Sequence, residues 1–202
     1  MNAGTRKTVY VFFGMVATGK SYLARAWAER QGGLYLNSDI VRKELAGLEQ
    51  RDRSRASWNE GIYTPGFTRR TYDELLRRAQ SYLTADSHVC VVLDASYQSR
   101  EERNRLRQEL AAQCLLLFIH CTCPESTVKK RLAERAVDRH AVSDGRWEIY
   151  LHQKVHFMPP DELEPGQVVS IDTDRPLAVL LAALEQAVQE KINGAHAAKP
   201  VR

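Results

Sequence analysis

The chain has 202 residues, 44% hydrophobic and 27% charged, which suits one soluble domain and excludes a low-complexity or disulfide-stapled architecture. The formal net charge of +4 fits phosphate-bearing ligands but is too small to argue for nucleic acid by itself. No apolar run approaches the roughly 18 residues of a membrane span, and the first residues carry no signal-peptide core, so a cytoplasmic protein that avoids membranes is expected. The four cysteines, Cys90, Cys114, Cys121 and Cys123, are expected as reduced thiols; Cys121-x-Cys123 lacks the second pair that a zinc site needs.

In chain order, strands alternate with helices. Residues 8–13 predict a first strand and 19–31 a first helix. Leu34-Tyr35-Leu36 predicts a short second strand, after which Asn37 or Ser38 caps a helix ending near Leu45. Residues 47–63 are polar and Arg-rich and carry no clear periodicity. Thr64-Pro65 sets an N-cap and a proline at the first helical position, opening a helix over roughly 66–84. The apolar run His88 to Asp94 suits a strand covered on both faces. A helix near 99–112, a strand from Cys114 to Cys121 and a helix from Pro124 to Ala136 follow. The basic stretch Arg135 to Arg146 breaks the pattern. Trp147 to Phe157 predicts a helix, stopped by Pro159-Pro160. Val168 to Ile171 predicts the last strand, 175–192 the last helix, and a flexible tail is expected over 194–202. Alternating βα units imply a parallel sheet with helices on both faces, in one domain over residues 1–193.

The most informative segment closes the first strand. Gly14-x-x-x-x-Gly19-Lys20-Ser21 stands between a predicted strand and a predicted helix, the setting in which a glycine-rich loop wraps phosphates with backbone N–H groups. The helix N-terminus adds partial positive charge. Lys20 suits the β and γ oxygens of ATP, and the Ser21 hydroxyl suits Mg²⁺. Gly14, Ala17, Thr18, Gly19, Lys20 and Ser21 are therefore the candidate ATP-binding residues.

Ligands of such sheets sit at the carboxyl ends of the strands, where Asp39, Asp94 and Asp172 are expected. Asp39 and Arg42 are three apart and share a helical face. The acid can take a proton from a substrate hydroxyl while the arginine holds a substrate; a helix-start acid in a surface ion pair has the same spacing. Asp94 closes its strand as a candidate Mg²⁺ ligand and substrate contact, or as a cap of the following helix. Arg131 and Arg135 lie four apart and on spacing alone read as a solvated basic face. His152 and His156 are also four apart, but Gln153 stands where a zinc protease carries Glu, so no zinc site is expected.

Together, Gly14-x-x-x-x-Gly19-Lys20-Ser21, Asn37-Ser38-Asp39-x-x-Arg42, Leu93-Asp94-Ala95-Ser96 and Arg131-Leu132-x-x-Arg135 followed by Ser143-Asp144 resemble the small P-loop kinases of the adenylate-kinase-like group. The likeness is nearest to predicted kinases of unassigned substrate related to polynucleotide 5′-hydroxyl kinases. It implies a three-layer α/β/α fold with a parallel sheet in the order 2-3-1-4-5 and a short lid over about 135–146. It also implies Asp39 as general base, Arg42 as a substrate-holding arginine, Arg135 as a catalytic lid arginine and Arg131 near the adenine. The expected activity is transfer of the γ-phosphate of ATP, with Mg²⁺, to a hydroxyl of a small molecule. The rivals are a nucleic-acid 5′ end as acceptor, and a nucleotide-binding regulatory module with incidental ATPase activity. A monomer or a homodimer fits equally.

Overall fold

The structure is a computed structural model that describes residues 7–49, 61–85, 90–137 and 146–197. Its elements are β1 (Thr8–Phe13), α1 (Lys20–Gln31), β2 (Leu34–Asn37), α2 (Ser38–Leu45), a 3₁₀ turn (Gly61–Tyr63) and α3 (Pro65–Thr84). They continue as β3 (Cys90–Asp94), α4 (Arg100–Leu110), β4 (Leu115–Thr122), α5 (Glu125–Val137), α6 (Trp147–His156), β5 (Val168–Asp172) and α7 (Leu177–Ala197). The strands form one five-stranded sheet in the order β2-β3-β1-β4-β5, and every pairing is parallel. The strand order and the helices on both faces are those expected.

Residue parity divides the core. On β1, Val9, Val11 and Phe13 face one layer with Val91, Leu93, Leu116 and Phe118, under Leu75, Leu76, Leu106 and Leu110 of α3 and α4. Tyr10 and Phe12 face the other layer with Val92, Leu117 and Ile119, under Leu23 and Trp27 of α1 and Leu180 and Leu184 of α7. Strands buried on both sides must be apolar at odd and even positions alike. This is why β1, β3 and β4 read as unbroken apolar runs.

Local signals set the boundaries. The Asn37 side chain accepts from the N–H groups of Asp39 and Ile40, so Asn37 rather than Ser38 caps α2. Thr64 caps α3, with Pro65 inside its first turn. Ser99 and Glu102 form a reciprocal capping box on α4. The last helix reaches Ala197, past Gly194, where a tail is expected. Most of the expected lid, 138–145, and most of the Arg-rich segment 47–63, namely 50–60, lie outside the described residues. Among the described residues no helix is long and apolar enough to cross a membrane.

Candidate active site

The phosphate loop is built by backbone conformations that few side chains tolerate. Gly14 has φ 142° and Gly19 has φ 81°. A Cβ at Gly14 would collide with the Cys121 carbonyl, and one at Gly19 would press on Thr173 Oγ1 and Arg131. Ala17 also adopts a left-handed conformation, φ 60°, which a methyl tolerates at a cost of about 1–2 kcal/mol. Inside the loop, the Thr18 hydroxyl donates to the Met15 carbonyl at 2.8 Å, and Lys20 Nζ reaches the same carbonyl at 3.4 Å. Gly14 N–H donates to the Ser96 carbonyl at 3.2 Å, tying the loop to the segment after β3.

Four side chains to which the sequence expectations give no role at this loop brace it. Gln153 of α6, 7% exposed, accepts from the Val16 N–H at 2.6 Å. Thr173, just past β5, donates through its hydroxyl to the Thr18 carbonyl at 2.5 Å. Tyr150 and Val128 cover Val16 and Ala17 in a small apolar cluster. Gln153 stands on the helix that suggested a zinc motif, and no spacing rule links it to a loop so far back in the chain. Thr173 was adjacent to a flagged acid: Asp172 is expected at the loop, but it is exposed and its carboxylate accepts from the Asp174 N–H at 3.0 Å. Side chains alternate along β5, so Asp172 points outward with Ser170 and Thr173 turns inward with Val169 and Ile171.

Asp94 is fully buried. Its Oδ2 accepts from Tyr35 Oη at 2.6 Å and from Asn37 Nδ2 at 2.6 Å, while Oδ1 has no hydrogen-bond partner among the described residues. The β2–β3 register sets Asn37 beside Asp94 and so fixes this contact. An orphaned buried carboxylate oxygen costs about 1–3 kcal/mol, more when charged, and it suits a hard cation. Asp94 with the hydroxyl of Ser21, at the start of α1, is a donor set that fits Mg²⁺, which keeps several waters and needs few protein oxygens.

Asp39 is half-buried at the first turn of α2. Arg135, also half-buried, has its pKa lowered by burial and by Arg131, and raised by the negative charges of Asp39 and Asp94. The end of α5 therefore brings a guanidinium into the field of both carboxylates. Arg131 is elsewhere: its Nη1 donates to the Ala17 carbonyl at 3.3 Å and to Thr173 Oγ1 at 3.0 Å, and its Nη2 to the Thr173 carbonyl at 2.8 Å. It clamps the phosphate loop to the β5 end. Arg42 is 6% exposed; its Nη1 donates to the Ile62 carbonyl at 2.8 Å and to Thr68 Oγ1 at 3.1 Å, and it lies over the Tyr63 ring. Its Nε has no partner among the described residues. Arg42 thus joins α2 to the 3₁₀ turn and to α3.

The four cysteines are free, with Cys90 pushed up to about 12 by burial, so these thiols stay protonated and pack as apolar groups. His156 Nδ1 donates to the His152 carbonyl at 2.8 Å, and its ring stacks on the His152 ring. No cluster of three or more His, Cys, Asp or Glu that could hold a metal occurs among the described residues.

A family model described as an AAA domain matches residues 9–160. No curated protein shows significant similarity. Among solved structures, a gluconokinase from Sinorhizobium meliloti is similar at 19% identity and a TM-score of 0.64, covering 96% of this chain and 99% of that one. A sugar kinase from a Janibacter species is similar at 18% identity and a TM-score of 0.64, over 91% and 95%. A shikimate kinase from Acinetobacter baumannii, in complex with shikimate, is similar at 16% identity and a TM-score of 0.61, over 92% and 94%.

Proposed function

The chain belongs to the AAA domain family, and from that premise we propose that it is an ATP- and Mg²⁺-dependent kinase, cytoplasmic, whose acceptor is a hydroxyl of a small molecule. The observation that carries this reading is the glycine-rich loop with Lys20, tied through the Gly14 N–H to Ser96 just past Asp94, with the charges of Asp39 and Asp94 both acting on Arg135. The sugar and shikimate kinases it is similar to support a small acceptor.

The roles follow from chemistry. Loop N–H groups and Lys20 hold the β and γ phosphates. Arg131, already on the loop and Thr173, borders the adenine. Ser21 and Asp94 would hold Mg²⁺, which would supply neutralisation of phosphate charge. Asp39 accepts the proton as the acceptor oxygen bonds to phosphorus and ADP leaves. Arg135 stabilises charge on the transferring phosphoryl group. Arg42 orients the acceptor wall.

The nucleic-acid reading is weaker. On α3, Arg77 and Arg78 pair with Glu74, and Arg69 pairs with Asp73, so these cations offer no free track for phosphates. Incubating the protein with γ-labelled ATP and pooled metabolites or oligonucleotides tests both readings. A labelled small molecule is expected; label only on 5′ ends overturns the small-molecule reading, and no labelled product from either pool overturns the kinase reading.

A further inference from the structure

Between the first turns of α3 and the start of α4 lies a cavity of about 320 Å³, within the usual size of a small-molecule site. Its walls include Tyr63, Thr68, Tyr72, Tyr97, Gln98 and Glu102. We propose that this cavity is the acceptor pocket and that it takes an uncharged hydroxylated ring, with the Tyr97 hydroxyl and the Gln98 carbonyl oxygen reading the ring's hydroxyls. The proposal rests on the kinase reading for its reaction but not for the binding itself.

Position comes first. The segment after β3 has two sides. The Ser96 carbonyl accepts from the Gly14 N–H of the phosphate loop, while Ser96 Oγ and Tyr72 Oη share a hydrogen bond of 2.9 Å and Tyr97 forms cavity wall. Arg42, three residues after Asp39 on α2, bonds Thr68 and covers Tyr63 in that wall. The cavity therefore adjoins the segment that anchors the phosphate loop, and a side chain from the helix of the proposed base backs its wall.

Orphaned polar atoms point to a ligand. Tyr97 is 1% exposed, and its hydroxyl and Gln98 Oε1 have no partners among the described residues. Buried polar atoms are rarely left so. Tyr97 also holds φ 37°, a strained conformation for a bulky residue. It is fixed there by the buried Arg103, whose Nη1 donates to the Tyr97 carbonyl at 2.9 Å. A donor-acceptor hydroxyl beside an amide oxygen matches the edge of a hydroxylated ring. The Tyr72 and Tyr97 rings, 4.8 Å apart, with Pro65 and Leu106, match its apolar face.

Charge sets the class. The two cations of the wall, Arg69 and Arg105, both pair with Asp73, and Arg69 also reaches Glu101 at 3.9 Å. Glu101 and Glu102 add negative charge, and burial raises the Glu102 pKa. An anionic acceptor would meet acids and find both cations taken.

Calorimetry on the full chain, without nucleotide, against myo-inositol, glucose and adenosine and against gluconate and shikimate, tests the class. At least one neutral ring is expected to bind at millimolar concentration and to accept label from γ-labelled ATP, with the acids binding worse. Tyr97→Phe should weaken the bound ring roughly tenfold and raise its KM, the loss of one buried hydrogen bond in a polar-reading site, with the KM for ATP unchanged. Gln98→Leu should do the same, and a deoxy form of the ring should lose its sensitivity to one of the two variants. Tighter binding of the acids, unaltered ring binding in both variants, or no ring binding while ATP–Mg²⁺ binds would each overturn the proposal. Loss of ATP–Mg²⁺ binding in the wild type with ring binding intact would instead strike the kinase reading and leave the pocket standing.

Discussion

Asp39 and Asp94 are both carboxylates at one end of the sheet, and their surroundings differ. Asp94 spends one oxygen on Tyr35 and Asn37, and its burial keeps it from meeting a diffusing acceptor. Asp39 is half-buried on a helix start, where it can. Asp39→Asn is expected to lower turnover by about 10²–10⁴-fold, the usual worth of a positioned base, with ATP affinity little changed. Asp94→Asn should chiefly raise the Mg²⁺ concentration needed for half-maximal rate. Steady-state kinetics across a Mg²⁺ series separates the two; near-normal turnover in Asp39→Asn would overturn Asp39 as the base. A third residue sets a pH dependence. His120 stacks against both Phe13 and Phe157, and burial, then the charge of Arg103, holds its pKa down to about 4. The unfolded chain protonates this imidazole near pH 6.5, so between those values the unfolded state binds the extra proton. Stability should therefore fall as pH falls from about 6.5 toward 4, by at most about 3 kcal/mol from this residue. Urea midpoints measured over that range should decline in the wild type and flatten in His120→Phe.

At the scale of elements, the buried pair Arg103–Glu162 fastens α4 to the segment before β5. Arg103 Nε and Nη2 reach both Glu162 oxygens at 2.6 and 3.1 Å, and Nη2 also donates to the Met158 and Pro159 carbonyls. Glu162→Leu would leave a fully buried guanidinium without its counter-charge, a loss of about 3–5 kcal/mol, visible as a lower urea midpoint. Ser99→Ala should cost about 1 kcal/mol, because it opens the capping box of α4. These elements also show what a sequence can display. Thr64-Pro65, the apolar runs of β1, β3 and β4, and the glycine spacing of the loop act through neighbours in the chain, so they were legible. Arg103 sat inside a helix of charged residues and looked like any solvated arginine; its burial depends on Glu162, 59 positions away. Gln153 and Tyr97 escaped for the same reason: their partners are set by the fold. The strand-end rule pointed to Asp39, Asp94 and Asp172 alike, and of these Asp172 is exposed while its neighbour Thr173 is buried.

For the whole molecule, ligand binding and folding are linked. ATP with Mg²⁺ should stabilise the native state by about 2.7 kcal/mol at a hundredfold excess over its dissociation constant, and Lys20→Ala should remove that gain. A thermal melt followed with and without ATP–Mg²⁺ checks it; an unshifted wild type would count against nucleotide binding. The strand order also has a consequence in time. β1 sits at the centre of the sheet and pairs only with β3 and β4. After Phe13 leaves the ribosome, roughly 80 further residues must follow before β3 is complete, roughly 4–16 s at synthesis rates of about 5–20 residues per second. During that interval a strand of Val, Tyr and Phe has no native neighbour. The nascent chain is therefore most prone to clump, and most in need of a chaperone, before its middle third has been made.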